Sequence, residues 1–538
     1  MGQGGGRRQA SGRRLANAPG PQRIAMGSRR SPARLGPEVD RAARRRRAIL
    51  RSPSAPVMPV LHIAAECAPF AKVGGLADVV GALPGALAEE GVGSAVVMPF
   101  YGGPDGRMAA GVGPVTSVHT GVVWLGEWFP FEVFESGAMG AVPLYLVHEP
   151  EHFGDDGVYF RASDNAWFAR GEVRYLVFQL MVLDWLRSAN TPLRGDDALH
   201  LHDHHTGLIP ALLHHDPANA EISRLGTVLT VHSADHHGEI AWAEWSRLGV
   251  EVDDPASLDH LGVVNSLKAG VEHADRVTTV SPTYARELAA SPEPSHGLDY
   301  AFQRAAGRLS GIVNGIDRAV WDPATDPHLP HAFSADDPSG KAATKAAVCA
   351  GLGLDADRPL VVFVGRLTPE KGAEILADGL ARVLDHTDAA VAVLGSGYAE
   401  HEAALQRVAD AAPAGRTSLT LAFDEALAHR LYGSGEYFVM PSKQEPCGLG
   451  QLYAMRYGAV PVVHAVGGLR DTVVPWDGAE GTGLWFEDFS AGAFAGAVAR
   501  ALALPEAERA ALRDNGMRAD HSWAASARAY AQLYDAVR

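Results

Sequence analysis

The sequence contains little cysteine: Cys67, Cys349 and Cys447 are the only three among 538 residues. No two of them form a CxxC pair, which argues against a disulfide framework and against a zinc site built from thiolates. Isolated thiols of this kind are typical of a reducing compartment. We therefore expect a cytoplasmic protein.

The sequence also lacks any apolar run that approaches the roughly 18–20 residues of a membrane-spanning helix, so we expect no membrane insertion. Basic residues are fewer than acidic ones, and the net charge is −16. Residues 1–57 hold 14 Arg and no Lys against Glu38 and Asp40, a charge of +12, which leaves −28 for the remainder. An acidic body is a poor partner for nucleic acid, and an anionic ligand would have to be bound by local basic groups.

Residues 1–57 are rich in Arg, Gly, Ala, Pro and Ser and show no hydrophobic periodicity, so we expect them to be disordered. Three explanations remain open: an arm for nucleic acid or membrane, a transit peptide, or an extension added by an upstream start. We favour the third, because Met58-Pro59 stands directly before the first apolar segment and Met58 would be a natural beginning.

The remaining sequence alternates short apolar segments with segments of helical periodicity, and its length suggests two or more domains at roughly 150 residues each. Val60–Ala65 and Leu360–Gly365 each open such a series, and glycine turns follow the predicted strands in both. This pattern predicts an α/β protein with two doubly wound, Rossmann-like domains facing a cleft. We expect domains at 58–315 and 316–520, a last helix within 521–538 that crosses back, and loops with short strands over 102–170.

Two glycine-containing turns carry basic residues. Lys72-Val73-Gly74-Gly75-Leu76 joins a predicted strand to a helix, where glycine lets the backbone approach a ligand and the helix N-terminus favours phosphate. The second turn carries Arg366 and Lys371, two cations five residues apart that suit a pyrophosphate. Each turn alone is equally typical of an ordinary protein surface.

A third turn, Pro441 to Gln451, carries Glu445 between an apolar strand and a helical segment. In an open α/β sheet, ligands bind outside the carboxyl ends of the strands, so the position suits a binding site. An isolated Glu-Pro-x-Gly is nevertheless a weak signal, because short motifs match by chance.

Together the three turns resemble those of the bacterial glycogen synthase and plant starch synthase family, glycosyltransferase family 5, and the resemblance extends from about Val60 to the C-terminus. It implies the glycosyltransferase B fold and retaining transfer of glucose from a nucleotide sugar, usually ADP-glucose, to the end of an α-1,4-glucan such as glycogen. It implies no cofactor and no metal. The choice between ADP-glucose and UDP-glucose stays open.

The resemblance also implies roles for individual residues. Those matching the catalytic positions of the family are His232, Arg366, Lys371 and Glu445. Those matching nucleotide-sugar positions are Lys72, Gly74, Gly75, Asp78, Asn265, Phe423, Gly448 and Leu449, while Asp203 and His205 match positions near the sugar and acceptor.

The sequence departs from the family on the acceptor side. His204 stands where the family commonly has Trp in Asp-Trp-His, and Ser233 stands where it commonly has Asn. Residues 235–237 likewise replace an aromatic and a Gln or Phe. These departures motivate one alternative, a glycosyltransferase of the same fold with another nucleotide sugar or acceptor. A non-catalytic glucan-binding homologue is a second alternative, disfavoured because Lys72 and all the charged catalytic positions are retained.

Two further readings concern cofactors. His202, Asp203, His205 and His232 offer nitrogen and oxygen ligands, but they lack the i, i+4 spacing of a helical zinc site, and neighbours on a strand point to opposite faces. We therefore expect no metal. Residues 395–397 form a lone Gly-x-Gly without the rest of a dinucleotide fingerprint, so we expect no NAD.

Overall fold

The computed structural model describes residues 60–193 and 197–538. The predictions made for residues 1–57 and for a start at Met58 lie outside this range. Among the described helices, none has both the length and the apolar character needed to cross a bilayer. The described chain forms two α/β halves, each built on its own sheet.

The first half contains a nine-stranded sheet and a small three-stranded sheet. The strands in chain order are β1 (Val60–Ile63), β2 (Ser94–Pro99), β3 (Val115–Trp124), β4 (Trp128–Ser136), β5 (Leu144–His148), β6 (Ala198–His202), β7 (Gly226–Val231), β8 (Glu239–Ala241), β9 (Asp259–His260), β10 (Val263–Asn265), β11 (Arg276–Thr279) and β12 (Leu309–Gly311). The large sheet has the order β12-β11-β7-β6-β1-β2-β5-β4-β3, and the small one has the order β8-β10-β9.

Seven strands of the large sheet are parallel, and the direction of strand addition reverses between β1 and β6. The expectation of loops and short strands over 102–170 was wrong in part. The strands β3 and β4, of ten and nine residues, form a long antiparallel hairpin that extends the sheet beyond β5. Exposed and buried residues are mixed along these two strands, so their sequences lack the continuous apolar run that is typical of a buried parallel strand.

The second half contains one six-stranded parallel sheet. Its strands are β13 (Leu360–Val364), β14 (Ala390–Leu394), β15 (Thr417–Thr420), β16 (Tyr437–Met440), β17 (Val460–His464) and β18 (Leu484–Phe486). The order β15-β14-β13-β16-β17-β18 is the doubly wound order, and it reverses between β13 and β16. Ligands of such sheets bind at the carboxyl ends of the strands at this reversal.

Helices cover both faces of the two sheets, as parallel strands that are buried on both sides require. The helices of the first half are Gly75–Glu89, Arg107–Val112, Pro150–Phe153, Gly171–Arg187, Leu208–His215, Trp242–Leu248, Pro255–Leu258, Ser266–His273, Pro282–Ala290, Pro292–Ser295 and Asp299–Arg304. The later ones are Ser339–Leu352, Ala373–His386, Ala399–Ala411, Glu425–Ser434, Gly450–Arg456, Gly467–Thr472, Ala491–Leu502, Glu506–Arg518 and Trp523–Asp535.

The last helix, Trp523–Asp535, packs on the first sheet. Its apolar face joins one hydrophobic cluster with Val60 of β1 and Val79 of the helix after it. Two tyrosine hydroxyls on this face reach into the sheet: that of Tyr534 lies 2.7 Å from His200 Nδ1, and that of Tyr530 lies 3.3 Å from Thr230 Oγ1.

Beneath this helix lies a group of fully buried histidines on adjacent strands, His62, His200 and His202. Burial disfavours the charged imidazolium and lowers the pKa of His62 to about 3. The pKa values of His200 and His202 lie well below the ordinary value for the same reason. The core therefore holds three neutral imidazoles.

These histidines should make the free energy of unfolding depend on pH. The unfolded chain binds a proton at each imidazole below about pH 6.5, whereas the folded chain does so only near its lowered pKa. The stabilisation is complete above pH 6.5 and is lost as the pH falls below it. We expect His62→Leu to remove about 2 kcal/mol of the stability change between pH 6.5 and 5, measured by urea denaturation at each pH.

His62→Gln is the matched control, because it keeps a polar side chain that does not titrate in this range. His62→Gln should reduce the dependence of the free energy of unfolding on pH as much as His62→Leu does, even if the two variants differ in absolute stability. A slope equal to that of the unaltered chain in both variants would contradict a neutral His62.

Candidate active site

The reversal point of the first sheet places a buried carboxylate beside the first glycine turn. Glu66 follows β1, and its Oε2 accepts the backbone N–H groups of Val73 and Gly74 at 2.5 and 3.0 Å. The hydroxyl of Tyr159 donates to its Oε1 at 2.5 Å. Glu66 therefore holds the turn in place, a role that no motif in the sequence indicated.

The turn itself is open. Lys72 is exposed and its Nζ lies 2.7 Å from Oδ1 of Asp78, so the structure pairs these two predicted residues with each other. Cβ atoms added at Gly74 and Gly75 would meet no described atom within 4 Å, so protein packing does not require glycine there. The space beside the turn is free for a ligand.

Across the reversal point, β6 and β7 bring Asp203 and His232 together. Oδ1 of Asp203 accepts the backbone N–H of His232 at 2.6 Å. Asp203 has a φ of +57° and ψ of −171°, a region that non-glycine residues rarely adopt and that costs of order 1–3 kcal/mol. Burial raises the pKa of Asp203 to about 8, although the hydrogen bonds from the backbone N–H groups of His232 and Ser233 lower it.

His232 is also buried, and burial lowers its pKa to about 3. Its Nε2 lies 2.9 Å from Nδ1 of His202, whose Nε2 lies 3.3 Å from Nδ1 of His62. His232 is therefore the outer member of a row of neutral imidazoles. Because Nε2 is engaged within this row, Nδ1 is the nitrogen left for a ligand.

One group in the described part of the chain has the composition of a metal site. Ring nitrogens of His62, His200 and His202 lie within 4.8 Å of one another. However, both nitrogens of His200 hydrogen-bond to hydroxyls, those of Thr230 and Tyr534, at 2.7 Å each. Both ring nitrogens of His202 also contact other histidines. A metal ion could bind this group only if these hydrogen bonds broke, so the three histidines do not fit a metal site.

The residues predicted for the acceptor side form an aromatic wall with two further rings, those of Tyr159 and Trp167. His205 stacks on Tyr159 with ring centroids 5.2 Å apart and lies 3.8 Å from the ring of His204. The ring of His204 is followed by that of His236 at 6.2 Å, and His236 by the exposed Trp167 at 6.1 Å. Tyr159 and Trp167 were both missed, because they lie in a segment without a recognisable strand or motif.

The second sheet brings Lys371 and Glu445 into direct contact. Lys371 follows β13 and Glu445 follows β16, and Lys371 Nζ lies 2.8 and 2.7 Å from the two carboxylate oxygens. The hydroxyl of Ser442, also missed from the sequence, donates to the same carboxylate at 2.9 Å. Glu445 is buried, whereas about a quarter of the Lys371 side chain is exposed, so the ammonium lies between the carboxylate and the open edge.

The other predicted residues of this half are more exposed than Glu445. Arg366 is exposed and forms a 3.1 Å ion pair with Glu370. Gly448 and Leu449 are half-buried before helix Gly450–Arg456, and Phe423 is 89% exposed. Burial raises the pKa of Asp78 in the first half, and the charge of Glu425, two residues after Phe423, acts in the same direction.

Asn265 is placed differently from the rest. Its Oδ1 accepts the N–H of Lys268 and caps helix Ser266–His273, and its Nδ2 lies 3.0 Å from His237 Nδ1. Asn265 is fully buried, and its side chain therefore joins the start of this helix to His237 of the loop at 233–237. The predicted contact of Asn265 with sugar remains a prediction.

Helix Pro282–Ala290 contacts both sets of residues. Tyr284 accepts the N–H of Ala234, two residues after His232, at 3.1 Å. Glu287 accepts the N–H of Gly467 at 3.0 Å, and the next N–H, that of Gly468, donates to the backbone oxygen of Glu445 at 2.9 Å.

Comparisons with known proteins agree with this geometry. Residues 59–304 match the family described as starch synthase catalytic domain, and residues 349–518 match glycosyl transferases group 1. The chain is 38% identical over 490 residues to a glycogen synthase of Streptococcus mutans and 41% identical over 486 residues to one of Anaeromyxobacter sp.. Each alignment covers 89% of this chain and 99% of the relative.

The chain belongs to the glycogen and starch synthase family of glycosyltransferases. This confirms the family, the two-domain α/β fold and the enzyme class predicted from the sequence. A solved relative, the catalytic domain of Arabidopsis thaliana starch synthase IV bound to ADP and acarbose, superposes with a TM-score of 0.78 at 30% identity, covering 89% of this chain and 99% of that one. Sucrose-phosphate synthase of Thermosynechococcus elongatus shares the fold alone, with a TM-score of 0.55 at 20% identity.

The position of Lys371 should depend on Gly372. This glycine has a φ of +75°, and a Cβ there would lie 1.8 Å from the backbone oxygen of Pro441, on the turn that carries Glu445. We expect Gly372→Ala to push the two turns apart and to lower both glucosyltransferase activity and the free energy of unfolding.

Gly353→Ala is the matched control, since Gly353 has a φ of +68° but a Cβ there would meet no described atom within 4 Å. It should cost about 1–2 kcal/mol in stability and leave activity unchanged. Equal effects of the two substitutions, measured by denaturation and initial rates, would show that the contact with Pro441 is unimportant.

Proposed function

We propose that this protein transfers glucose from ADP-glucose to the non-reducing end of an α-1,4-glucan such as glycogen, with retention at the anomeric carbon. The observation that supports this most directly is the Lys371–Glu445 pair at the reversal point of the second sheet, with Arg366 on the same turn. The protein is acidic overall, so these local cations provide the positive charge that binds an anionic nucleotide sugar.

The two cations act on the departing diphosphate. When the bond between glucose C1 and the diphosphate oxygen breaks, negative charge develops on that oxygen, and preorganised cations stabilise it where it appears. Glu445 and Ser442 hold the Lys371 ammonium at the edge of the site. Arg366 is exposed and pairs with Glu370 at the surface, so its guanidinium can turn and bind the phosphates in bidentate fashion.

His232 acts as a neutral hydrogen-bonding group. With a pKa lowered to about 3, it is uncharged at physiological pH and cannot serve there as a cation. Its Nδ1 is the ring nitrogen left for a sugar hydroxyl, because Nε2 contacts His202. Asp203 fixes the backbone of His232 and therefore positions it.

Retention follows if the acceptor attacks from the face that the diphosphate leaves. The new bond joins glucose C1 to O4 of the terminal acceptor glucose, and the proton of that hydroxyl passes to the departing phosphate oxygen. Glu445 is engaged by Lys371 and Ser442, so it stabilises and positions rather than attacks. This mechanism requires neither a covalent enzyme intermediate nor a metal ion.

The altered acceptor side supports a second candidate, a glucosyltransferase of the same fold with a different acceptor or donor. His204 and loop residues 233–237 differ from the usual family pattern, and His204 and His236 belong to the wall that ends at Trp167. Release of nucleoside diphosphate measured across donors and acceptors separates the two candidates.

The deciding experiment measures ADP release by the full chain given ADP-glucose and glycogen, with and without EDTA. We expect glycogen-dependent release that EDTA does not reduce. Lys371→Ala should lower kcat by about 10²–10³-fold, as loss of one group that stabilises developing charge typically does. Lys443→Ala, on the Glu445 turn but paired with Glu293 at the surface, should leave kcat within about twofold.

Release of nucleoside diphosphate from another nucleotide sugar but not from ADP-glucose would reject ADP-glucose as the donor and leave the glycosyltransferase assignment intact. Release that stops with EDTA and returns with a divalent cation would reject the metal-independent mechanism. Binding of glucan without any turnover would favour the non-catalytic alternative.

Trp167 and Phe423, which are exposed on opposite halves, should affect the KM of different substrates. Trp167→Ala removes an indole face from the acceptor wall, and a loss of about 1–1.5 kcal/mol corresponds to a roughly five- to tenfold increase in KM for a short glucan such as maltotriose. Phe423→Ala, on the nucleotide side, should instead raise KM for ADP-glucose. Initial rates with each substrate varied in turn test both, and an exchange of the two effects would reject the assignment of the sides.

A further inference from the structure

Two tryptophans stand exposed at the tip of the hairpin formed by β3 and β4. Trp124 is 47% and Trp128 67% exposed, and they form a cross-strand pair whose ring centroids lie 4.9 Å apart. Their neighbours Val123 and Phe129 point inward and are buried, so the strand register fixes both indoles on the outer face. Exposed aromatic pairs on an edge hairpin favour self-association in water. Such a pair is therefore a candidate binding site for a ligand.

From these observations we propose that the Trp124–Trp128 pair is a second glucan-binding site, which holds a segment of a polymeric acceptor away from its reacting end. The proposal rests on the proposed function, because it takes an α-1,4-glucan as the acceptor. It adds a site that none of the predicted site residues includes.

The hairpin tip lies at the ligand edge of the sheet. β4 runs antiparallel to β5, so the residues that precede its pairing with β5 extend beyond the carboxyl end of β5. Glu132 pairs with His148 at that end, and the strand begins four residues earlier, at Trp128. The pair therefore projects roughly 13 Å past the edge at which β1, β6 and β7 present the site.

The hairpin is also connected to the acceptor wall through helix Trp242–Leu248. A Cβ added at Gly249, which ends this helix, would lie 3.6 Å from the indole nitrogen of Trp124. Near its other end, Glu244 accepts from Arg170 at 2.8 Å, and Arg170 is three residues from Trp167. A helix of seven residues spans only about 10 Å, so this path connects the hairpin pair to the segment that carries Trp167.

The chemistry of this path suits a neutral sugar chain. The apolar C–H faces of pyranose rings pack on indole rings, while charged and polar side chains beside them bind the hydroxyls. Glu127 and Arg247 are exposed next to the pair and supply such groups. Two isolated rings flanked by charges match a thin amphipathic chain better than a broad protein interface, whose core is depleted in charge.

A second site of this kind raises the apparent affinity for long acceptors only. Once one segment of a polymer is bound at the hairpin, its chain ends are held near the cleft at a high effective concentration, whereas a short acceptor gains nothing. The hairpin pair should therefore affect KM for glycogen and not KM for maltotriose.

The test compares the full chain with a Trp124→Ala, Trp128→Ala double variant. We expect KM for glycogen to rise about tenfold, with kcat and KM for maltotriose unchanged within about twofold. Cosedimentation with glycogen should weaken in parallel; it requires no turnover and therefore decides the proposal even if the proposed transferase activity fails. Trp128→Phe, which keeps a ring face, should restore most of the binding.

Val122→Thr is the matched control, because Val122 is about as exposed as Trp124 and lies on the same face of β3. It should leave both KM values unchanged. The proposal is overturned if glycogen binding and KM for glycogen are unchanged in the double variant, or if KM for maltotriose rises equally. It is also overturned if the double variant converts a dimer to a monomer by light scattering without losing glycogen binding, which would assign the pair to a second copy.

Discussion

The buried contact between Lys371 and Glu445 is the interaction on which the arrangement of the second half depends. The two residues are 74 positions apart in sequence, and they meet because the doubly wound strand order places β13 and β16 side by side. A buried carboxylate is tolerated only if it is paired and hydrogen-bonded, and Lys371 with Ser442 supplies both. Losing Lys371 would therefore leave an uncompensated buried charge as well as remove a cation from the site.

The same logic operates at the first reversal point, with hydrogen bonds in place of a salt bridge. Asp203 adopts a rare backbone conformation that its contact with His232 stabilises, and Glu66 holds the glycine turn from below. Helix Pro282–Ala290 then joins the two reversal points, since it contacts the loop after His232 and the residues that hold Glu445. This helix therefore links the two half-sites, together with the ion pair between Glu293 and Lys443 of the turn that carries Glu445.

The sequence predicted those parts of the structure that local chemistry determines. Continuous apolar strands followed by glycine turns indicated the two sheets. The phosphate site predicted from Arg366 and Lys371 remains a prediction. Glu66, Ser442 and Trp167 were not predictable in this way, because their roles arise from partners distant in sequence. The hairpin of β3 and β4 was missed because its strands are half-exposed and lack a continuous apolar run. The residue roles taken from family resemblance remain predictions, although the geometry brings most of them to the two reversal points.

The departures from the family pattern at position 204 and at positions 233–237 fall on the predicted acceptor side of the site. A tryptophan that other members commonly have at position 204 is replaced by histidine, a smaller and more polar ring. Here His204 is followed outward by His236 and then by Trp167, so an indole face is still present at the end of the wall. If this wall binds the acceptor as proposed, the indole of Trp167 at its exposed end contacts glucose units away from the reacting end. The smaller ring of His204 at the buried end contacts the units near the transferred glucose, and this arrangement favours long acceptors over short ones.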